Sequence, residues 1–328
     1  MKAIICEKYG SPEVLKLTEI DKPVPEDDQV LVKIHAASIN FGNLVLLKGE
    51  PFLARFAFGL RRPKYPIPGG DTAGVVEDAG KNVKQFKPGD KVFGDLSGSG
   101  WGSFAEYAAV PESSLALMPA GLSFTEAAAV PMAAATALQS LRDKGNIKKG
   151  QKVMIYGASG GVGTFAVQIA KSFGAEVTGV CSTRNIDILQ SIGADHCIDY
   201  TKTDFSSWNV QYDLILGVNG SNSMRTYRRA LKPDGQFIHV GGSGKQMFQA
   251  LMMGPWVSFT GKQKVGSFLQ RQNQNDLIFV AKLIEEGKVR PIIDRTYSLE
   301  DIPEAYRYFA EGHARGKVVI SMSQSPSA

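Results

Sequence analysis

The sequence predicts an α/β protein of two domains, an antiparallel β-barrel or sandwich and a doubly wound parallel sheet. Three observations predict this fold. The chain has 328 residues, about twice the length of a usual domain. Residues 1 to about 120 alternate apolar and polar side chains in short segments, whereas residues 152 to about 240 alternate between strand-like and helix-like segments. Strands separated by single helices imply right-handed crossovers and therefore a parallel sheet.

The composition is typical of a folded protein that binds small molecules. A hydrophobic fraction of 43% with 21% charged residues excludes disorder and coiled coil as the main architecture. The net charge of +5 is spread along the chain, so neither nucleic-acid binding nor membrane-surface binding is expected. Cys6, Cys181 and Cys197 are too few for a disulfide framework and favour a reducing compartment, the cytoplasm. No apolar run of about 18 residues occurs, so no signal peptide or membrane span is expected.

The first part of the chain shows strands separated by turns. Residues 30–36 are the clearest strand, because Val30, Val32, Ile34 and Ala36 alternate with the residues between them. Further short strands are predicted over residues 2–6, 14–17, 74–77, 91–93 and 104–110. Turn chemistry at residues 87–90 (Lys-Pro-Gly-Asp) and 97–100 (Ser-Gly-Ser-Gly) separates the later strands. This pattern predicts the antiparallel domain.

The pattern changes at residue 123. A capping box of Ser123 and Glu126 begins an alanine-rich helical run that is interrupted near Pro131. Strands alternating with helices are then predicted over residues 153–156, 176–181, 196–198, 213–216 and 236–240. Helices over residues 276–286 and 302–310 and a strand over 317–320 return to the first domain. We therefore predict a first domain over residues 1–122, completed by residues 265–328, and a parallel-sheet domain over residues 123–264.

The strongest functional signal is a glycine-rich turn between a strand and an amphipathic helix. Gly157 permits a tight turn, Gly160 lets the backbone approach a pyrophosphate, and Gly163 lets the helix lie close to the sheet. Free N–H groups at the start of the helix then hold the anion. The predicted contacts are therefore Gly157, Ser159, Gly160, Gly161, Val162 and Gly163. This order of elements predicts a Rossmann domain that binds a dinucleotide, and an ordinary glycine turn is the alternative.

The end of the second predicted strand indicates which dinucleotide binds. An NAD-specific site would place an acid there to accept a hydrogen bond from the ribose 2′-hydroxyl. This chain has Ser182, Thr183 and Arg184 instead. Two hydroxyls and a guanidinium suit a 2′-phosphate, so NADP(H) is the predicted cofactor. A solvated arginine at the start of a helix is the alternative interpretation of Arg184.

These features resemble those of the zinc-independent medium-chain dehydrogenases/reductases of the quinone oxidoreductase type. The resemblance covers nearly the whole chain and rests on the glycine-rich turn together with residues 1–4 (MKAI), 37–41 (ASINF), 68–76 (PGGDTAGVV), 86–92 (FKPGDKV), 192–195 (IGAD) and 313–319 (HARGKVV). It implies a GroES-like catalytic β-barrel built from both chain ends, an inserted Rossmann domain and a cofactor in the cleft between them. It also implies a homodimer that pairs through the edge of the Rossmann sheet.

Two departures from the zinc alcohol dehydrogenases predict that no metal is bound. Where those enzymes have a ligating His followed by Glu, this chain has Gly70 and Asp71. The segment around Asn40 lacks their ligating cysteine, and no four-cysteine lobe follows residue 90. The adjacent His196 and Cys197 would face opposite sides of a strand, so they do not form a metal site.

The missing metal favours reduction over alcohol oxidation. Without a metal, an alcohol needs a separate base to take its proton, and no Ser-Tyr-Lys constellation is present. Hydride from NADPH can instead reduce an electron-poor quinone or enone if the protein aligns it and donates a hydrogen bond to the developing oxyanion. The resemblance places Asn40 and Thr136 beside the nicotinamide. The alternatives are a turn residue for Asn40 and a hydroxyl bonded within its own helix for Thr136.

Further candidates are weaker. Tyr65 is either a donor to the acceptor oxygen or a packed loop residue, and Asn43 replaces an Asp common in relatives, which argues against a proton relay there. By resemblance, Tyr200 borders the adenosine phosphate and residues Gly241, Gly242 and Ser243 pass beside the nicotinamide, with an edge-strand tyrosine as the alternative for Tyr200. Arg315 is a cofactor contact or a surface charge. The aromatic stretch over residues 49–64 is either a cover for the cleft or core packing.

Two other functions stay open on the sequence. An NADPH-dependent alkenal or enone double-bond reductase uses the same hydride geometry with a different acceptor. A structural or regulatory protein that binds NADPH with little turnover belongs to another class, because the fold does not determine function.

Overall fold

The computed structural model describes residues 1–203, 210–220, 222–241 and 262–322. Contacts between Cα atoms divide the chain into two units. The first unit comprises Met1–Ala135, Arg271–Glu285 and Pro291–Ala328, and the second comprises Thr136–Gln270 and Glu286–Arg290. Two segments near the end of the chain therefore belong to the first unit, whereas the sequence predicts a single returning segment over residues 265–328.

The strands and helices of the described residues are numbered here in chain order. The strands are β1 (Lys2–Cys6), β2 (Leu15–Glu19), β3 (Gln29–Ile39), β4 (Asp71–Ala79), β5 (Lys91–Asp95), β6 (Tyr107–Pro111), β7 (Leu115–Leu117), β8 (Lys152–Tyr156), β9 (Glu176–Cys181), β10 (His196–Asp199), β11 (Tyr212–Val218), β12 (Leu231–Val240), β13 (Lys264–Phe268), β14 (Ile293–Ser298) and β15 (Lys317–Ser321). The helices are α1 (Phe41–Lys48), α2 (Arg55–Phe58), α3 (Phe124–Ala128), α4 (Pro131–Gln139), α5 (Gly161–Ser172), α6 (Ile186–Ser191), α7 (Met224–Arg229), α8 (Gln274–Glu285) and α9 (Ile302–Ala310).

The first unit is built on a seven-stranded sheet whose central strand is β3. The strand order is β14-β15-β3-β4-β5-β7, and β6 also pairs with β3. Val30, Val32 and Ile34 pack in one core cluster, whereas Ala37 and Ile39 pack in another. The change of cluster follows a register shift between Ile34 and Ala36 against β4, which turns the end of β3 to the other side. This end of β3 leads directly into α1.

The second unit contains a six-stranded parallel sheet. Its order is β10-β9-β8-β11-β12-β13, and every neighbouring pair is parallel. Counted from β8 as the first strand, this is the 3-2-1-4-5-6 order of a Rossmann domain, in which ligands bind at the carboxyl ends beside the point where the strand order reverses. The predicted α/β fold with a parallel Rossmann sheet is confirmed.

Some boundaries differ from those predicted. The capping box of Ser123 and Glu126 is present, but it begins a helix that packs on β3 and β4, so the first unit extends to Ala135 rather than ending at residue 122. The strand predicted from residue 104 begins at Tyr107, because Ala105 forms only an isolated bridge with Ala3. No described helix is long and apolar enough to span a membrane.

Candidate functional site

The first unit places Asn40 between β3 and α1. Its backbone N–H donates to Asn43 Oδ1 over 2.8 Å, and its carbonyl accepts from Asn43 N–H over 3.0 Å. Asn43 is fully buried and therefore supports the start of α1. Since the side chain of Asn43 satisfies the backbone of Asn40, the amide of Asn40 is left to interact with other residues.

That amide is held between a cation and a carboxylate. Asn40 Oδ1 accepts from Lys317 Nζ over 2.5 Å, and Asn40 Nδ2 donates to Asp71 Oδ2 over 2.7 Å. An ammonium can only donate and a carboxylate can only accept, so these partners leave one orientation for the amide. One of the two Nδ2–H groups is used by Asp71. The arrangement can therefore offer the second N–H as a fixed donor.

Asp71 is the first residue of β4 and is fully buried. Its Oδ2 also accepts from Ser38 Oγ over 2.7 Å and from Lys317 Nζ over 3.2 Å, and its Oδ1 accepts from Met132 N–H over 2.9 Å. Met132 lies in the first turn of α4, where unpaired backbone N–H groups favour an anion. The buried charge of Asp71 is therefore balanced by Lys317 and by this helix start.

Lys317 is the first residue of β15 and is almost fully buried. Its three N–H groups match three acceptors, which are Asn40 Oδ1, Asp71 Oδ2 and the carbonyl of Ile39 at 3.2 Å. Burial lowers the pKa of Lys317, while Asp71 and the nearby Asp95 act in the opposite direction. The match of three donors to three acceptors fits the ammonium form. Lys317 is not among the residues predicted from the sequence, because a lysine before an apolar strand has no local signal of burial.

The position of the zinc-ligating His is filled by other side chains. A β-carbon at Gly70 would lie 3.1 Å from Met132 Cε and 3.3 Å from Trp101 Cζ3. A larger side chain at residue 70 would therefore displace the indole of Trp101, which is buried. Among the described residues, no group of three or more His, Cys, Asp or Glu side chains can hold a metal ion. The residues around Gly70 do not fit a zinc ion.

The glycine-rich turn of the second unit follows β8 and leads into α5. Gly157 has a φ of +76°, and a β-carbon there would lie 2.0 Å from the carbonyl oxygen of Val218. At Gly163 a β-carbon would lie 2.2 Å from the carbonyl oxygen of Gly157, so the helix lies close to the turn. Gly160 precedes α5, and the nearest atom to a β-carbon there is 3.6 Å away. The turn therefore has the tight bend, the open approach and the close helix packing that a pyrophosphate site needs.

Asn185 connects two segments that the sequence analysis assigned to the cofactor. Its Nδ2 donates to Ser159 Oγ over 2.9 Å and to Ser182 Oγ over 3.2 Å. Ser159 is nearly buried, whereas Gly161 and Val162 in the first turn of α5 are half-buried. Asn185 is not among the residues predicted from the sequence, since asparagine is common before the first turn of a helix and carries no specific signal there.

No acid lies at the end of β9, the second Rossmann strand, but the neighbouring strand β10 places the carboxylate of Asp199 beside it. Thr183 Oγ1 donates to Asp199 Oδ2 over 2.5 Å, so the hydroxyl proton of Thr183 points at a carboxylate. Hydrogen bonds from Thr183 and Thr201 lower the pKa of Asp199 and keep it ionised. Asp199 comes from β10, where it pairs in register with Cys181 of β9. Arg184 is exposed.

The other predicted residues lie as follows. Tyr200 is half exposed and stacks on Tyr156, with ring centroids 6.2 Å apart. Tyr65 is a half-buried loop residue, Thr136 is half-buried in α4, and Gly241 has a φ of +65° after β12. Arg315 donates its backbone N–H to Asp294 Oδ2 over 2.9 Å. Gly242 and Ser243 lie outside the described residues. Of the predicted residues that the structure describes, only Asn40 belongs to a buried cluster that contains charges, which it forms with Asp71 and Lys317.

Comparison with known proteins gives a consistent result. Residues 26–120 match the family described as alcohol dehydrogenase GroES-like domain, and residues 192–320 match the family described as zinc-binding dehydrogenase. The chain is 35% identical to a chloroplastic quinone-oxidoreductase homolog of Spinacia oleracea, over 98% of each chain. It is also 35% identical to a 2-methylene-furan-3-one reductase of Solanum lycopersicum, over 98% of this chain and 79% of that protein. The solved quinone oxidoreductase of Coxiella burnetii is 30% identical and superimposes with a TM-score of 0.88, over 98% of this chain and 99% of that one.

Proposed function

Because the chain belongs to the medium-chain dehydrogenase/reductase superfamily, as a member of its quinone oxidoreductase type, we propose that it reduces quinones or similar enones with NADPH and without zinc. The observation that carries this proposal is the amide of Asn40, which Lys317 and Asp71 hold in one orientation. A rigid hydrogen-bond donor is what a reduction needs when charge develops on the acceptor oxygen.

The chemistry divides between the cofactor and the protein. Bound NADPH supplies the hydride. The second N–H of Asn40 stabilises the oxygen that gains negative charge, and Thr136 is the second candidate for a polar contact with the reacting groups. Lys317 and Asp71 are positioning residues, because they act through Asn40. Tyr65 is a weaker candidate donor, since it is a half-buried residue of a loop.

The cofactor site that we propose is the glycine-rich turn with the end of β9. The backbone N–H groups at the start of α5 would hold the pyrophosphate. Ser182 and Arg184 would bind a 2′-phosphate, whereas the hydroxyl proton of Thr183 is already donated to Asp199. Tyr200, Gly241, Gly242, Ser243 and Arg315 stay candidate contacts by resemblance alone. The preference for NADPH over NADH therefore rests on Ser182 and Arg184.

The absence of zinc is also a proposal. It is supported by the packing of Trp101 and Met132 against Gly70, although one matching family carries zinc in its description. Two further proposals concern the whole protein. Cys6, Cys181 and Cys197 form no disulfide, which suits a reducing compartment such as the cytoplasm. Strand β13 ends the described Rossmann sheet and offers the edge through which a homodimer would pair.

A second candidate function is the reduction of alkenal or enone double bonds, which the similarity to a 2-methylene-furan-3-one reductase favours. Both candidates are tested by measuring NADPH oxidation with a benzoquinone, a naphthoquinone, several alkenals and, in reverse, ethanol with NADP⁺. We expect turnover with the quinones and negligible oxidation of ethanol. Turnover confined to alkenals would support the second candidate, and rapid chelator-sensitive oxidation of ethanol would contradict both.

A further inference from the structure

The segment of residues 52–64, here called the 52–64 segment, has an unusual composition. Between Glu50 and Asp71 the chain contains four basic residues, Arg55, Arg61, Arg62 and Lys64, and no acidic residue. Within residues 52–64 lie five large apolar side chains, which are Phe52, Leu53, Phe56, Phe58 and Leu60. The diffuse net charge of the whole chain hides this local combination of cations and apolar groups.

Part of this segment anchors it to the first unit. Arg55 Nε donates to the carbonyl of Gly49 over 3.0 Å, and its guanidinium lies 4.5 Å from the ring centroid of Tyr9. Tyr9 Oη donates to the carbonyl of Gly59 over 2.5 Å. The ring of Phe58 packs edge-on against Trp101, with centroids 6.1 Å apart. The backbone of the 52–64 segment is therefore held in place.

The remaining apolar side chains face outward. Phe52, Leu53, Phe56 and Leu60 are 63%, 75%, 68% and 55% exposed, so they do not form core packing. Phe52 and Phe56 touch edge-to-face, with ring centroids 6.2 Å apart. Four exposed large apolar groups on one anchored segment mark an interaction surface rather than a loop without a role.

The cations beside this surface have no carboxylate partner among the described residues. Arg61, Arg62 and Lys64 are exposed, and none of the three forms an ion pair with the residues that the structure describes. A protein partner that carries both acidic and basic side chains would be matched by a segment with charges of both signs, whereas the charged residues of this segment are all cations. Apolar side chains next to exposed cations match the boundary between lipid headgroups and acyl chains in an anionic bilayer.

We propose that the 52–64 segment docks the protein on an anionic lipid surface. Phe52, Leu53, Phe56 and Leu60 insert between the headgroups, and Arg61, Arg62 and Lys64 contact the lipid phosphates. The contact is peripheral and reversible, because four apolar side chains and three cations bury much less apolar surface in the bilayer than a membrane-spanning helix does. It does not depend on the proposed reaction, since binding to lipid requires neither cofactor nor substrate.

The test is co-sedimentation of the full chain with vesicles of phosphatidylcholine alone or mixed with phosphatidylglycerol. We expect at least tenfold stronger binding to the anionic vesicles than to the neutral ones. Binding should fall markedly at about 0.5 M salt, because salt at that concentration screens charges that are more than a few Å apart. Phe52→Ser with Phe56→Ser, and Arg61→Gln with Arg62→Gln, should each weaken binding about tenfold or more. Unchanged melting temperatures would show that these variants are folded.

Matched controls change similar residues elsewhere. Val24→Ser with Leu269→Ser alters two apolar side chains that are each 84% exposed, and Lys81→Gln with Lys84→Gln alters two exposed cations. Both controls should bind like the unaltered protein. The proposal is contradicted if the anionic vesicles bind no protein, or if the controls lose as much binding as the segment variants. A third outcome would also overturn the proposal: the unaltered protein binds no vesicles but self-associates, and the Phe52→Ser with Phe56→Ser variant does not self-associate. That result would assign the surface to a second copy of the chain.

Discussion

The ammonium of Lys317 lies 2.5 Å from Asn40 Oδ1, although the two residues are 277 positions apart in the chain. This contact makes the orientation of the Asn40 amide depend on the C-terminal strand β15. Asp71 completes the arrangement from β4. The donor that we propose for the reaction is therefore fixed by two charges, one at the start of β15 and one at the start of β4.

Lys317→Met should lower both turnover and stability. The variant leaves Asp71 as a buried carboxylate without its cation, which typically costs about 3–5 kcal/mol of unfolding free energy. Lys317→Met combined with Asp71→Leu should recover part of that stability, because no unpaired charge stays buried, but it should not recover turnover. Urea unfolding and steady-state kinetics on both variants check this. Full activity in the double variant would show that the pair does not position Asn40.

Gly70→His should not create a zinc site. The new side chain would meet the indole of Trp101, and the described residues contain no group of three His, Cys, Asp or Glu side chains that could hold a metal, so we expect lower stability and no bound metal. Elemental analysis after dialysis against zinc, together with a melting curve, measures both outcomes. One tightly bound zinc per chain in this variant or in the unaltered protein would contradict the packing argument.

Arg184→Ala should weaken NADPH binding and leave NADH binding nearly unchanged. A charge-assisted bond to a 2′-phosphate contributes about 1.5–3 kcal/mol, or roughly ten- to a hundredfold in affinity. Arg229→Ala, at an exposed arginine of α7, is the matched control. Fluorescence titration with both cofactors gives the affinities. Equal losses for NADPH and NADH would show that Arg184 has a structural role.

Thiol reactivity should separate the three cysteines. Burial raises the pKa of Cys6 to about 11 and that of Cys181 to about 12. It also raises the pKa of Cys197, but this thiol is only half-buried and is therefore more accessible. A raised pKa keeps a thiol protonated, so at pH 8 the reactive thiolate of Cys6 or Cys181 is scarce, and it becomes available only as the pH approaches these values. Iodoacetamide labelling followed by mass spectrometry should modify Cys197 first. Equal labelling of all three in the folded protein, as in denatured controls, would contradict this.

The sequence could predict features whose cause is local. The turn from Gly157 to Gly163 was predictable, because strand, glycine turn and helix are consecutive. Strand β13 was missed, since glycine and serine interrupt its apolar pattern. Asp199 could have been found from the parallel pairing of β9 and β10, which sets it beside Cys181. The contact between Lys317 and Asn40 could not, because it depends on how β15 packs against β3.

The role of Asn40 is tested most directly by comparing Asn40→Ala with the unaltered protein in steady-state reduction of a naphthoquinone, with NADPH affinity measured in parallel. The variant removes the fixed N–H donor but no group of the proposed cofactor site. We predict that kcat falls by about a hundredfold, the usual effect of losing one oxyanion donor, while the Kd for NADPH changes less than about threefold. An Asn40→Ala protein that is folded and reduces the quinone at an unaltered kcat would contradict the account.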